Sequence, residues 1–367
     1  MDERIAQMAH HRISGLSAGD PVALPITPAS TYLIPGMPVE RHQYGRWTNP
    51  GWDALEEALG ILEDATVVTF PSGMAAIAAV LLPNLHSGDK VLLPSDGYYT
   101  TRAIAENYLA PNGIEVQLCD TVEYINQDFT GFNLVWIETP SNPKLEICDL
   151  GIVIEKIHAA GAIAVVDNTT LSPLGQRPFD FGADVVVSAD TKSIGGHSDV
   201  LFGHIASRNE VLITKALDWR KLVGATPGPF EAWQVHRSLD TFEVRYSRMC
   251  ESAGLIAGRF EEHPAIESVR YPGLESHPQH DIAKRQLLRF GSVMGVTFAS
   301  EELAEQFISN AEYVIPSTSF GGTHTSAERR ARWGDAVVPG YVRLSIGVEP
   351  TEELWKSFER SLAGLAG

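Results

Sequence analysis

Seven short apolar segments constrain this chain more than any other feature of it. Thr66–Phe70, Lys90–Leu93, Glu115–Leu118, Leu134–Glu138, Ala162–Asp167, Asp184–Val187 and Leu201–Ala206 mostly lack the polar–apolar alternation of a strand with one wet face. Helix-like segments such as Ser72–Leu82, Tyr99–Leu109 and Ile152–Ala160 fall between several of them. Strands buried on both faces and separated by helices predict a mainly parallel seven-stranded sheet clad by helices, an α/β fold.

A helix precedes the first strand, with Trp52, Leu55, Leu59 and Leu62 on one apolar stripe. Residues 1–50 are rich in Pro, Gly, Ser and His and read as an extended N-terminal arm. Residues 51–240 read as the large sheet domain. Residues 241–367 read as a smaller C-terminal α/β domain, with strands around Ser292–Phe298 and Tyr341–Ile346 and a last helix from about Thr351.

Charge narrows the partners. A formal net charge of −18 over 367 residues repels phosphate backbones and anionic lipid, so neither nucleic acid nor membrane is an expected partner. The three cysteines, Cys119, Cys148 and Cys250, form no CxxC pair, which argues against structural zinc and a disulfide framework. Met1–His11 has no signal-like apolar run and no segment reaches membrane-span length. The expected location is cytoplasmic.

Three features converge at the ends of predicted strands. Ser72-Gly73-Met74 opens a helix directly after a strand, where glycine admits a ligand close to the backbone and free amides attract an anion. Taken alone, such a turn is equally a tight packing device. Asp167 ends the apolar run Ala164-Val165-Val166-Asp167, at the edge where open α/β sheets bind ligands, although a capping role is the plainer alternative. Lys192, in Ala189-Asp190-Thr191-Lys192-Ser193-Ile194-Gly195-Gly196-His197-Ser198-Asp199, also follows a strand; its alternative is a solvated turn. Together a phosphate turn, an acid and a lysine suit pyridoxal 5′-phosphate (PLP), whose phosphate, ring nitrogen and aldehyde need those three groups.

With these motifs the chain resembles the PLP-dependent enzymes of cysteine and methionine metabolism, a family that includes cystathionine γ-synthase, cystathionine γ- and β-lyases and methionine γ-lyase. The resemblance runs from Tyr44 to the last helix, and Thr191-Lys192 with Gly195-Gly196-His197-Ser198-Asp199 is its most specific stretch. It implies the PLP-dependent transferase fold (fold type I). It also implies Lys192 as Schiff-base lysine and proton shuttle, and Asp167 as partner of the ring nitrogen. Gly73, Met74 and Thr191 become phosphate ligands, Tyr98 the ring-stacking tyrosine that assists the leaving group, and Asn142 a neighbour of the phenolic oxygen. Arg343 and Ser319 become the site of the substrate α-carboxylate, with Tyr44 and Asn142 also expected to contact the substrate. Tyr44 and Arg46, in Tyr44-Gly45-Arg46-Trp47-Thr48-Asn49-Pro50, become contacts to a neighbouring subunit's phosphate, within a homotetramer built from two active dimers.

The match breaks in places. Many members carry a serine three residues before the lysine; here Ala189 stands there, and Asp190 replaces a small residue beside it. Tyr99 follows the stacking tyrosine in place of a small residue, and Thr318 stands where γ-acting members commonly have glutamate. The run Glu328-Arg329-Arg330-Ala331-Arg332 is unusually basic, and is expected either to meet a substrate's distal carboxylate or to be a solvated face. The expected activity is PLP-dependent γ-elimination of L-cystathionine, a small sulfur amino acid. β-Elimination, γ-replacement and methionine γ-elimination are the alternatives on the same scaffold. Transamination is a more distant reading, as is a metal-dependent hydrolase using His277, His280 and Asp281; no metal is expected.

Overall fold

The computed structural model describes residues 1–365. The seven apolar segments form β1 (Thr66–Phe70), β2 (Lys90–Pro94), β3 (Glu115–Cys119), β4 (Leu134–Glu138), β5 (Ile163–Asp167), β6 (Val185–Ser188) and β7 (Gly203–Ser207). They make one sheet in the order β1-β7-β6-β5-β4-β2-β3. All strands run the same way except β7, which is antiparallel to both its neighbours.

Side chains on a strand point alternately to the two faces, so a strand buried twice must be apolar throughout. In β4, Val135 and Ile137 join one apolar cluster with Leu55, Leu59 and Ile157, whereas Leu134 and Trp136 join another with Ile77, Val80 and Leu212. The first cluster lies under helices Pro50–Glu63 and Leu150–Ala159, the second under Gly73–Asn84 and Glu210–Val223. Each fully buried Val, Leu or Ile contributes about 1.5–3 kcal/mol to folding.

Helix starts follow the local sequence. Asn49, Ser72 and Asp149 place side-chain oxygens on first-turn amides of the helices they open. The expected helix Tyr99–Leu109 keeps α-helical geometry only over Tyr99–Ile104; Ala105–Leu109 widens to a π-turn and Ala110–Asn112 tightens to 3-10. The first residues also depart from a simple extended arm. Asp2–His10 is a helix whose Met8 is buried in the same cluster as Trp52 and Leu55. Regular structure then fails until Pro50, apart from the 3-10 turn Ile13–Gly15 and one bridge between Thr31 and Tyr44.

A second sheet holds β8 (Ser268–Arg270), β9 (Val293–Thr297), β10 (Ile315–Pro316), β11 (Ser326–Arg329) and β12 (Tyr341–Ser345), in the order β10-β11-β12-β9-β8. Its cluster is built on Phe260, Phe298, Phe307 and Phe358. Helix Phe242–Glu261 serves both cores: Phe242 and Tyr246 pack with the large sheet, Ile256 and Phe260 with the small one. Among the described residues no helix is long and apolar enough to cross a membrane.

Candidate active site

The ends of β1, β2, β4, β5 and β6 open on a cavity of about 780 Å³, closed from the other side by segments of the small sheet. Gly73, Met74, Tyr98, Asn142, Asp167, Thr191, Lys192, Ser319 and Arg343 all line it. Nine of the site residues singled out from sequence therefore meet in one place.

The glycine in the turn after β1 lets that turn pack closely against the lysine segment and β7. A Cβ on Gly73 would meet that of Ala189 at 2.6 Å, and one on Gly203 would lie 2.7 Å from the Gly73 nitrogen. Ser72 Oγ accepts from the Ala75 amide at 3.1 Å, while the amides of Gly73 and Met74 precede any intrahelical acceptor. They are the donors available to a phosphate, at the positive end of a helix. Thr191 Oγ1, the third expected phosphate ligand, exchanges hydrogen bonds with the backbone of Phe202, accepting from its amide at 3.0 Å and donating to its carbonyl at 3.2 Å.

Asp167 is 5 % exposed, and its Oδ1 accepts from the Thr169 amide at 3.1 Å. Burial raises its pKa, and Thr169 works in the opposite direction. A buried acid at the cavity wall with so little compensation fits a cationic nitrogen placed against it. Glu138 sits directly beside it in the β4–β5 register and is also buried. Its two oxygens accept from the Tyr98 amide at 2.7 Å and the Asn142 amide at 2.8 Å. Burial, then the neighbouring Asp167, push the Glu138 pKa well up.

Lys192 Nζ donates to Ser319 Oγ at 2.7 Å and lies 4.8 Å from the centre of the Phe320 ring. Burial lowers its pKa to about 8, assisted by the positive charges of Arg343 and Arg330. A lysine so depressed is neutral often enough near pH 8 to act as nucleophile or base. Ser319 has φ +79°, a conformation that side chains other than glycine's seldom adopt, and the surrounding packing holds it there.

Arg343 is 4 % exposed. It donates to Asn142 Oδ1 at 2.7 Å, to the Ser319 carbonyl at 2.9 Å and to Glu328 Oε2 at 3.1 Å. The same Glu328 oxygen accepts from Arg330 at 2.7 Å, and Arg330 also pairs with Asp335. The basic run is thus largely neutralised from within. Arg329 turns outward to Glu301 and Glu305, and Arg332 pairs with Glu328. Of these arginines only Arg330 lines the cavity, next to Trp333, so an expected distal-carboxylate contact through the whole run narrows to that one side chain.

Tyr44 and Arg46 are not among the residues lining the cavity of their own chain. The Arg46 guanidinium donates to the Lys221 carbonyl and lies over the Tyr44 ring. The histidines of the hydrolase reading are tied to backbone. His277 Nε2 is 3.0 Å from the Leu145 carbonyl, and His280 Nδ1 is 3.0 Å from that of Pro272. Among the described residues no group of three or more His, Cys, Asp or Glu is arranged to hold a metal.

Sequence reasoning passed over Glu138 and Thr169 as cavity groups, reached Arg330 only as one of a basic run, and gave Glu328 no ordering role. Glu138 carries the signal that singled out Asp167: an acid ending an apolar strand at the same sheet edge. Glu328 carries none, because its role depends on lying opposite Arg343 across β11 and β12.

Comparison with known proteins gives one consistent result. Residues 7–363 match the family model described as Cys/Met metabolism PLP-dependent enzyme. A Streptomyces coelicolor protein named "Putative cystathionine gamma-lyase" is 44% identical, covering 91% of this chain and 87% of its own. The cystathionine gamma-lyase of Dictyostelium discoideum is 36% identical over 93% of this chain and 92% of its own. The crystal structure of cystathionine gamma synthase from Xanthomonas oryzae pv. oryzae in complex with cystathionine superposes with a TM-score of 0.93 at 32% identity, over 99% of this chain and 98% of that one.

Proposed function

The chain belongs to the family of PLP-dependent enzymes of cysteine and methionine metabolism, and from that premise we propose that it is a C–S lyase acting on L-cystathionine by γ-elimination, with cysteine, 2-oxobutyrate and ammonia as products. The observation that carries the reading is the convergence of Lys192, Asp167, the Gly73–Met74 amides and Arg343 on one cavity.

The bound pyridoxal ring supplies an electron sink for the charge left at the substrate Cα. The protein's own residues do the rest. Gly73 and Met74 amides would hold the phosphate, joined by the Thr191 hydroxyl if its hydrogen turns from the Phe202 carbonyl, and Asp167 would keep the ring nitrogen protonated. Tyr98 would cover the ring and assist the departing sulfur, while Asn142 would stand at the phenolic oxygen. Arg343 takes the substrate α-carboxylate as a bidentate partner, with Ser319 beside it. Lys192 would be the residue that holds the cofactor at its aldehyde carbon; displaced by the substrate amine, it would take the Cα proton, give it up, and only then take one from Cβ.

Arg330, the one arginine of its run in the cavity wall, already pairs with Glu328 and Asp335, so the run leaves little free charge for a distal carboxylate. Tyr44 and Arg46, which their own chain leaves outside its cavity, serve the neighbouring subunit's phosphate. The working unit is then a dimer with shared sites, two of which make a homotetramer in the cytoplasm.

Thr318 replaces the glutamate common in γ-acting members, so the position of bond cleavage needs a direct test. Chromatography of the keto acids formed from L-cystathionine is expected to give 2-oxobutyrate. Predominant pyruvate would make the protein a β-lyase, and neither product would point to a synthase or to another thioether.

A further inference from the structure

Directly behind the lysine segment lies a group of charges that plays no part in the chemistry above. His204, on β7, is fully buried between two carboxylates: its Nδ1 is 2.7 Å from Asp190 Oδ1 and its Nε2 is 3.4 Å from Glu63 Oε1. Asp190 is itself fully buried, and Glu63 is 4 % exposed. The two acids hold the His204 pKa up at about 10 against the effect of burial, so the ring is an imidazolium at neutral pH. Burying an imidazole between two carboxyl groups is costly, and an apolar set of similar volume commonly stabilises a fold as well or better. A role beyond stability is therefore the question to ask of them.

Their placement answers it. Asp190 stands between Ala189, which touches the phosphate turn at Gly73, and Thr191-Lys192. Its carbonyl accepts from the Gly195 amide at 2.7 Å and so closes the bend around the lysine. Thr191 is fastened to Phe202 by its hydroxyl, and Asp190 to His204 by its carboxylate, which lashes the segment to the start of β7 on either side of Gly203. Gly203, between those two anchors, is the residue pressed against Gly73. Glu63 ends the helix that begins just after Arg46 and Asn49. Lysine segment and helix Pro50–Glu63 thus meet at His204, next to the Gly203 that packs on the phosphate turn.

We propose that Asp190, His204 and Glu63 are positioning residues for the cofactor, holding segment 189–192 rigid against β7 and the phosphate turn and so making up for the serine that Ala189 replaces. The proposal rests on the PLP assignment and adds residues that touch neither cofactor nor substrate.

Titration of the apo-protein with pyridoxal phosphate, followed by absorbance, tests it alongside thermal unfolding of the same apo-proteins. His204→Gln leaves two acids facing an uncharged amide, and its dissociation constant is expected to rise at least about tenfold. Asp190→Asn keeps an acceptor for the ring N–H without the charge, and is expected to weaken binding less. Ala189→Ser added to Asp190→Asn is expected to recover affinity, and no recovery would sever the link to position 189. Variants that melt earlier yet bind the cofactor as tightly as wild type would overturn the proposal, leaving a clamp that serves stability alone. Should His204→Gln not fold, Asp190→Asn decides between the same outcomes. Failure of the wild-type apo-protein to bind pyridoxal phosphate would instead remove the cofactor assignment.

Discussion

Replacing Arg343 with methionine removes a charge beside Lys192 while keeping much of the side chain's bulk. Lys192 Nζ lies 4.8 Å and Arg343 Cζ 5.1 Å from the centre of the same Phe320 ring, which bounds their separation at about 10 Å. At an effective dielectric of about 20, two like charges at about 10 Å repel by about 1.7 kcal/mol or more. At about 1.36 kcal/mol per pKa unit, that is slightly over one unit. Losing a like charge favours the protonated amine, so the Lys192 pKa rises. Glu328, released from Arg343, acts in the same direction, since its negative charge already raises the lysine. The assay is the rate at which apo-protein takes up pyridoxal phosphate as a function of pH, because only the neutral amine attacks the aldehyde. Half-maximal rate is expected near pH 8 for the wild type and near about pH 9 for the variant, with uptake about tenfold slower below both midpoints. Well above both, the two rates should converge. An unchanged or lowered midpoint would refute the reasoning, because it would mean that burial alone sets the lysine.

Lys192→Ala is expected to abolish turnover and the yellow absorbance of the bound cofactor, checked by spectroscopy on the purified protein. Asp167→Asn should fold normally but lose about 10²–10³-fold in kcat, the cost typical of removing one preorganised electrostatic partner; wild-type rates would mark Asp167 as a cap. Mixing Arg46→Ala with Lys192→Ala subunits should restore part of the activity, because one site of each mixed dimer regains both groups. No recovery in verified mixed dimers would count against a shared site.

The large sheet was legible because its central strands must be apolar on both faces, a signal that needs no partner to be recognised, while the edge strand β3 is partly exposed. Strand ends fell within a residue or two, as Ala162–Asp167 against Ile163–Asp167 illustrates. Asp167 and Lys192 followed from position at the sheet edge, and the resemblance assigned them roles. The small sheet was harder: β8 and β10 have three and two residues, too short to show any period. Helix Asp2–His10 was missed because a single buried residue, Met8, ties it down. The arginines of 329–332 looked like free positive charge, since their partners Glu301, Glu305 and Asp335 belong to other elements or to the far side of a turn. Sequence proximity says what a residue is, and pairing says what charge it has left to offer.

Strand β12 has one more implication. Val342 and Leu344 face the phenylalanine cluster, and Arg343 between them faces the cavity. Successive residues on a strand point to opposite sides, so a slip of one position against β9 and β11 would turn the guanidinium into hydrocarbon and two aliphatic side chains toward the substrate. Mispaired molecules are therefore penalised in folding and inactive in the same stroke. A single-residue insertion inside Tyr341–Ser345 should be intolerable, whereas one in the connection between β11 and β12 leaves the pairing untouched. The antiparallel ladder acts as a proofreading ruler for the group that grips the amino acid.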